Sequence, residues 1–124
     1  GLNISVDPDS QDQLIGAVAL LQDKLKFESA LITLSEHGIF YKGPENQHKL
    51  AAHVRSISDV SGAGDTVISI AALCLASSLP TEVLTELANL GGGIVCEYPG
   101  VVPIEMSRLI AEAKKNDLLS AYFD

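Results

Sequence analysis

The spacing of apolar residues predicts that the first half of the chain forms a helix followed by three short strands. Apolar side chains recur at helical spacing over residues 12–26, and the polar residues just before them are suitable N-caps. The apolar run at residues 30–34 has the length of a strand and is expected to be buried on both faces. Residues 39–41 form the return strand of a hairpin, and a third strand is expected at residues 50–54, after a polar loop.

The second half of the chain is predicted to be helical. A glycine-containing segment at residues 61–65 opens an apolar helix that ends near Ala76, and Thr81 is expected to cap the next helix. This helix reaches the glycines at residues 91–93, and a last helix is expected over residues 103–115. The fold class is therefore mixed α/β. Three strands are few for so much apolar helix surface, so further strands from a sheet partner are expected.

Composition and charge narrow the classes of function. The chain has 124 residues, of which 47% are hydrophobic and 19% charged, and its formal net charge is −8. This balance is typical of a folded domain and argues against a nucleic-acid or anionic-membrane partner. Cys74 and Cys96 stand in apolar runs and are expected to be small buried side chains, while acidic residues of the last helices, such as Glu112, are expected to be solvated. Without a signal peptide or membrane span, a cytoplasmic location is expected.

Residues 59–66, with the sequence Asp-Val-Ser-Gly-Ala-Gly-Asp-Thr, carry the candidate chemistry. Gly62 and Gly64 stand at the start of a predicted helix, where unpaired N–H groups and the helix dipole favour an anion. Asp65 lies in the first turn of the same helix, and a carboxylate there would repel a bound phosphate. It is therefore interpreted as a general base that takes a proton from an attacking hydroxyl. The alternative is a plain turn followed by a favourable helix-start acid.

The whole string resembles the second signature of the PfkB carbohydrate kinases. No Lys follows the glycines, so it is not a Walker-type phosphate loop. The resemblance implies the C-terminal, nucleotide-binding part of a ribokinase-like three-layer α/β/α sandwich that uses ATP and Mg²⁺. It assigns the catalytic base to Asp65 and stabilisation of the transferring phosphoryl group to Gly62, Ala63 and Gly64.

Two further segments extend the resemblance to the nucleotide. Residues 31–38, which end in Thr-Leu-Ser-Glu-His-Gly, look like the strand and turn that contact the phosphates and ribose, although many relatives have Gly in place of the Ser. Residues 88–93 resemble the small-residue helix that passes under adenine, and tight helix packing is the alternative reason for these small residues. The residues that the resemblance assigns to the nucleotide are Thr33, Ser35, Gly38, Asn89 and Gly92.

The PfkB family often holds a monovalent cation such as K⁺ beside its anion site. The resemblance assigns the first half of that site to Asp59 and Ser61, and the second half to backbone carbonyls after the small-residue helix. Ile104 stands where some relatives have a Ser ligand, so this side-chain ligand would be absent here. The residues assigned to this site are Asp59, Ser61, Val95, Tyr98 and Gly100.

Over residues 28–115 the sequence looks most like D-glycero-D-manno-heptose 7-phosphate kinases of ADP-heptose and lipopolysaccharide synthesis. This likeness implies a nucleotide and a sugar phosphate as ligands. The chain begins with Gly1 and lacks the acceptor site, so it is expected to be an inactive piece of a longer product. Its uncovered sheet would favour a homodimer or other self-association. The alternatives are another PfkB sugar or nucleoside kinase, or a non-catalytic nucleotide-binding or assembly segment.

Overall fold

A computed structural model describes residues 6–52 and 57–115, and within them the predicted order of helices and strands is confirmed. The mixed α/β class is confirmed with it. The chain divides after Ala51 into two compact units, an α/β unit and a helical unit. The elements are α1 (Gln11–Leu25), β1 (Ala30–Thr33), β2 (Ile39–Lys42), β3 (Gln47–Leu50), α2 (Ala63–Ala76), α3 (Thr81–Val95) and α4 (Met106–Lys115).

In the first unit, helix α1 begins at a capping serine and packs on the sheet through one apolar stripe. The Ser10 hydroxyl oxygen accepts a hydrogen bond from the Gln13 N–H at 3.3 Å, which satisfies one of the unpaired groups of the first turn. Leu14 and Val18 are four residues apart, so they lie on the same face, where they pack with the fully buried Phe40 of β2. The predicted amphipathic helix is therefore confirmed.

The three strands form an antiparallel sheet in the order β1-β2-β3. Residues 39–41 of the central strand β2 are buried, as their apolar character requires. The expectation that β1 is buried on both faces was wrong, because Leu31 and Ile32 are only half-buried and Thr33 is exposed. These side chains are less buried because β1 lies at the edge of this sheet and pairs with β2 on one side only.

The third strand was predicted too late in the chain. It was expected at residues 50–54, but β3 covers Gln47–Leu50, and residues 53–54 lie outside the described part of the chain. Its polar side chains show no apolar alternation, and an edge strand can keep such residues half-buried. The turn before it is closed by a hydrogen bond of 2.9 Å from the Gly43 N–H to the Asn46 carbonyl, which brings β3 against β2.

Gly38, at the turn between β1 and β2, is a residue that the fold requires. Its φ is 98°, and an added Cβ would overlap the Leu50 carbonyl oxygen and lie 2.9 Å from the Ala51 carbonyl carbon. We expect Gly38→Ala to lower the free energy of unfolding by about 3 kcal/mol, from backbone strain and collision with rigid backbone.

Urea unfolding followed by circular dichroism would measure this loss, with Gly16→Ala as the matched control. A Cβ at Gly16 in α1 would have nothing within 4 Å, so this variant should gain ~0.5–1 kcal/mol from helix propensity. Equal stability of the two variants would contradict the conclusion that the fold requires glycine at position 38.

In the second unit, α2 and α3 pack closely because α3 presents glycines to α2. Gly91 and Gly92 are buried, and a Cβ on Gly91 would overlap the Ile70 side chain of α2. A Cβ on Gly92 would lie 2.8 Å from Val67 Cγ2. The same Cβ on Gly91 would lie 3.6 Å from Leu109 Cδ1 of α4, so small residues on α3 set the spacing of the helices.

Two helix starts differ from the prediction. Pro80 is the N-cap of α3, so the expectation that Thr81 caps it was wrong. Thr81 is already helical, and its carbonyl accepts a hydrogen bond of 2.7 Å from the Thr85 hydroxyl. Helix α4 begins at Met106 and not at residue 103, after a non-helical segment. Within residues 6–52 and 57–115, no helix has the length and apolar character needed to cross a membrane.

Candidate functional site

The start of α2 presents backbone N–H groups outward. Gly62 is the N-cap in the left-handed region, with φ 78°, and no side chain caps the helix. Its carbonyl accepts the first full-turn hydrogen bond, from the Thr66 N–H at 3.0 Å. The N–H groups of Gly64 and Asp65 precede that bond, so helix geometry leaves them without an intrahelical acceptor. Together with the helix dipole, they form a cradle for an anion.

The two glycines of this cradle serve different purposes. Gly62 is needed by the fold, because its φ is positive and an added Cβ would lie 3.0 Å from Val101 Cγ1. Gly64 is helical, and an added Cβ would meet nothing within 4 Å. The fold therefore does not require glycine at position 64, and the space beside its backbone is open to a ligand.

Asp65 is exposed in the first turn of α2, beside this open space. Its carbonyl accepts a hydrogen bond of 2.8 Å from the Ser69 hydroxyl, which fixes the backbone of the first turn. Its carboxylate has no hydrogen-bond or ion-pair partner in the described part of the chain. A carboxylate next to an anion cradle and without a structural partner suits proton transfer.

The loop before α2 is held by the carboxylate of Asp59. One of its oxygens, Oδ1, accepts hydrogen bonds from the Ser61 N–H at 2.9 Å and the Ser61 hydroxyl at 2.7 Å. The other, Oδ2, accepts one from the Gly100 N–H at 2.9 Å. The bonds from Ser61, and then the one from Gly100, lower the pKa of Asp59 from its ordinary value, so the group is ionised at neutral pH. This set of hydrogen bonds is called the Asp59 brace below.

The residues expected to hold a cation are only partly suited to it. The structure brings Asp59, Ser61 and Gly100 together, but through hydrogen bonds to the carboxylate. The Val95 carbonyl accepts the Tyr98 N–H at 3.2 Å, and Ile104 adds an apolar wall to the adjoining cavity of about 260 Å³. A cation here would rest mainly on backbone carbonyls. Among the described residues, no three His, Cys, Asp or Glu side chains are grouped as metal ligands.

The small residues of α3 have a structural reason that does not involve a ligand. Gly92 is buried against Val67 of α2, as the packing alternative predicts. Asn89, one turn earlier, is half-buried. Contact of either residue with adenine stays a prediction from the family resemblance.

In the first unit, the three residues predicted to contact the nucleotide lie in one turn. Thr33 is exposed at the end of β1, and Ser35 follows in the short helical turn Ser35–His37. Ser35 has φ 54°, a left-handed conformation that favours glycine. The Gly38 N–H closes the turn on the Ser35 carbonyl at 3.2 Å.

Sequence reasoning missed a cluster centred on Arg108 of α4. Its guanidinium donates to Glu97 at 2.6 Å, to Glu112 at 3.2 Å and to the Tyr98 hydroxyl. The expectation that Glu112 is simply solvated was therefore wrong. The spacing of Arg108 and Glu112, four residues apart on one helix, was the available signal. Bonds from Arg108 to Glu97 and Tyr98 cannot be read from local spacing.

The two cysteines agree with the sequence prediction. Cys74 and Cys96 are both buried and carry free thiols. Burial raises the pKa of both thiols, and the nearby Asp59 carboxylate raises that of Cys96 further. Neither thiol is therefore activated as a nucleophile.

Comparison with known proteins identifies the family of the chain. The profile of the pfkB family carbohydrate kinases matches residues 2–106 of the chain. The chain belongs to the PfkB carbohydrate kinase family. Among its relatives in this family, the bifunctional protein HldE of Methylobacillus flagellatus is 39% identical over 107 residues, which cover 86% of this chain and 22% of that protein. This PfkB segment thus spans about a fifth of the length of that relative.

Solved structures confirm the ribokinase-like fold of this PfkB segment. Phosphofructokinase-2 from Escherichia coli, crystallised with potassium, superposes with a TM-score of 0.77 at 15% identity, covering 90% of this chain and 36% of that one. A candidate ribokinase II from Escherichia coli, solved with ATP and Mg²⁺, gives a TM-score of 0.74 at 14% identity, covering 82% of this chain and 33% of that one. At such identities the likeness establishes the fold.

Proposed function

We propose that this PfkB segment binds the phosphates of ATP at the start of α2 and supplies the catalytic base of a sugar kinase. The observation that carries the proposal is the open space beside Gly64, which lies next to outward N–H groups and to the unpartnered carboxylate of Asp65. Phosphoryl transfer needs donors that stabilise the transferring phosphoryl group and a base that accepts the proton of the acceptor hydroxyl. The first turn of α2 offers candidates for both roles.

In the proposed reaction, Asp65 accepts the proton of the acceptor hydroxyl. The hydroxyl oxygen forms a bond to the γ-phosphorus while the bond from that phosphorus to the bridging oxygen of ADP breaks. The free N–H groups of Gly64 and Asp65 would stabilise the negative charge on the transferring group. The family resemblance also assigns the backbone of Gly62 and Ala63 to this role, and the Ala63 N–H, which donates to the Val60 carbonyl at 3.3 Å, would have to turn towards the phosphate. Mg²⁺ bound to the nucleotide would neutralise part of the phosphate charge. The Asp59 brace keeps the cradle in shape, whether or not a cation such as K⁺ joins it through the carbonyls of Val95, Tyr98 and Gly100.

We further propose heptose 7-phosphate as the acceptor, phosphorylated at its C1 hydroxyl to heptose 1,7-bisphosphate during ADP-heptose synthesis. Support comes from the resemblance of residues 28–115 to heptose 7-phosphate kinases and from the identity of 39% to HldE. The assignment of Thr33, Ser35, Gly38, Asn89 and Gly92 to nucleotide contact rests on the same resemblance.

An acceptor panel on the complete encoded protein tests this function. With Mg²⁺ and ATP, ADP release should be at least ~100-fold more efficient, as kcat/KM, with heptose 7-phosphate than with ribose, fructose 6-phosphate or adenosine. Preference for another acceptor would keep the PfkB activity and overturn the heptose assignment. Binding of ATP without turnover on any acceptor would favour the non-catalytic alternative.

A further inference from the structure

The Asp59 brace depends on where the turn at residues 97–100 is placed. One half of the brace is local, because Ser61 is two residues from Asp59. The other half reaches 41 residues along the chain to the Gly100 N–H. Gly100 has φ 75°, so the turn ends in a left-handed conformation that glycine adopts readily. The N–H groups of Ser58 and Asp59 also donate to the Cys96 carbonyl, at 2.8 and 3.1 Å, so the backbone of the loop is held at the end of α3. The turn that follows Cys96 therefore decides whether the Gly100 N–H reaches the Asp59 carboxylate.

Arg108 binds the other end of the same turn. Its guanidinium donates to the Glu97 carboxylate at 2.6 Å and to the Tyr98 hydroxyl, and it lies 5.7 Å from the centre of the Tyr98 ring. A further bond of 3.2 Å to Glu112 fixes the guanidinium to its own helix. The turn is thus tied to α4 by Glu97 and Tyr98, and to the cradle loop by Gly100.

We propose that Arg108 is a positioning residue for the phosphate cradle, acting through the turn at residues 97–100 and the Asp59 brace. This inference rests on the proposed function, since positioning matters only if the cradle binds phosphate. Arg108 lies on α4 and touches none of the residues assigned to the reacting groups, namely Gly62, Ala63, Gly64 and Asp65.

The contacts of Arg108 suit arginine better than lysine. Three acceptors surround one planar guanidinium, and the side chains of Arg108, Glu97 and Glu112 are 34%, 26% and 18% exposed. The partly enclosed guanidinium holds the carboxylates of Glu97 and Glu112 and the Tyr98 side chain in fixed directions. A lysine ammonium would supply the positive charge but not the planar arrangement of N–H donors. Arg108→Lys should therefore restore only part of what Arg108→Met removes.

Hydrogen exchange followed by NMR tests the positioning on the chain itself, before any ligand is added. In Arg108→Met we expect the Gly100 N–H to exchange about tenfold faster, the size of one hydrogen bond to a charged group. The N–H of Leu90, in the core of α3, should keep its wild-type rate. Lys114→Met removes a positive charge from the exposed end of the same helix and should change neither rate.

Calorimetry with Mg²⁺ and ATP then tests the consequence. The dissociation constant should rise about tenfold in Arg108→Met, by a smaller factor in Arg108→Lys, and not at all in Lys114→Met. Combining Arg108→Met with Asp59→Asn should weaken binding little more than Asp59→Asn alone, because both changes act on the hydrogen bond between the Gly100 N–H and the Asp59 carboxylate.

The outcomes separate this inference from the proposed function. An unchanged Gly100 rate, or equal acceleration at Gly100 and Leu90, would overturn positioning, the latter by showing a general loss of stability. A wild-type chain that binds no nucleotide would instead contradict the proposed phosphate site of the chain, and the exchange rates would still decide whether Arg108 holds the turn.

Discussion

Replacing Asp65 by asparagine is expected to lower kcat for sugar phosphorylation by about 10³-fold while leaving the affinity for ATP and Mg²⁺ unchanged or higher. Asparagine keeps the size of the side chain but cannot take the proton of the acceptor hydroxyl. It also removes a negative charge next to the bound phosphates, which would strengthen ground-state binding. The carboxylate has no structural partner in the described part of the chain, so the loss should be confined to the chemical step.

The measurement is steady-state kinetics on the complete encoded protein, with binding followed separately by calorimetry. Glu82→Gln is the matched control, because Glu82 is an exposed acid in the first turn of α3 as Asp65 is in α2. Both substitutions should cost a similar ~0.3–1 kcal/mol of helix-dipole stabilisation, but only Asp65→Asn should slow turnover. If Asp65→Asn retained more than about a tenth of the wild-type kcat, Asp65 would be only a helix-start acid.

The sequence was most informative where the chemistry is local. The glycine at position 62 and the acid at position 65 predicted the start of α2, because helix starts depend on a few neighbouring residues. Anion binding at this start stays a prediction. The cap of α1 and the hairpin between β1 and β2 were predicted for the same reason. Gly38 was recognisable as a turn residue, although its collision with the Leu50 carbonyl was not.

The errors fall where a neighbour in space decides the structure. Burial of β1 depends on how many strands flank it, and residues 30–34 do not encode that number. Strand β3 is polar, and it is a strand because it pairs with β2 in register, with His48 opposite Tyr41. Pairing of this kind gives no periodic signal in a polar segment.

The same distinction applies within the candidate site. Asp59 and Ser61 were found through the motif, but the Gly100 hydrogen bond that completes the brace is a long-range contact. Arg108 was overlooked because its partners Glu97 and Tyr98 belong to another helix end. Sequence reasoning thus identified the groups assigned to the reaction and missed the cluster that holds their loop in place.

Gly64→Val is expected to weaken binding of ATP and Mg²⁺ by at least about 100-fold without destabilising the fold. Its side chain would fill the open space beside the cradle and keep a phosphate from the N–H groups there, and loss of such a donor is worth ~3–4 kcal/mol. Nothing in the described structure lies within 4 Å of the added Cβ, so the urea midpoint should stay within error of wild type or rise.

Gly16→Val in α1 is the matched control, since its Cβ also enters open space on a helix. It should leave nucleotide affinity unchanged, and its urea midpoint should stay within error of wild type or rise, as for Gly64→Val. Gly62→Ala gives the contrast, because strain at φ 78° and the approach to Val101 should weaken folding and binding together. If Gly64→Val bound ATP like the wild type, phosphate would not approach the backbone at position 64. The proposed role of Gly64 in binding would then be wrong. If Gly64→Val lost nucleotide binding but kept its stability, and Gly16→Val kept both, Gly64 would be assigned to nucleotide binding.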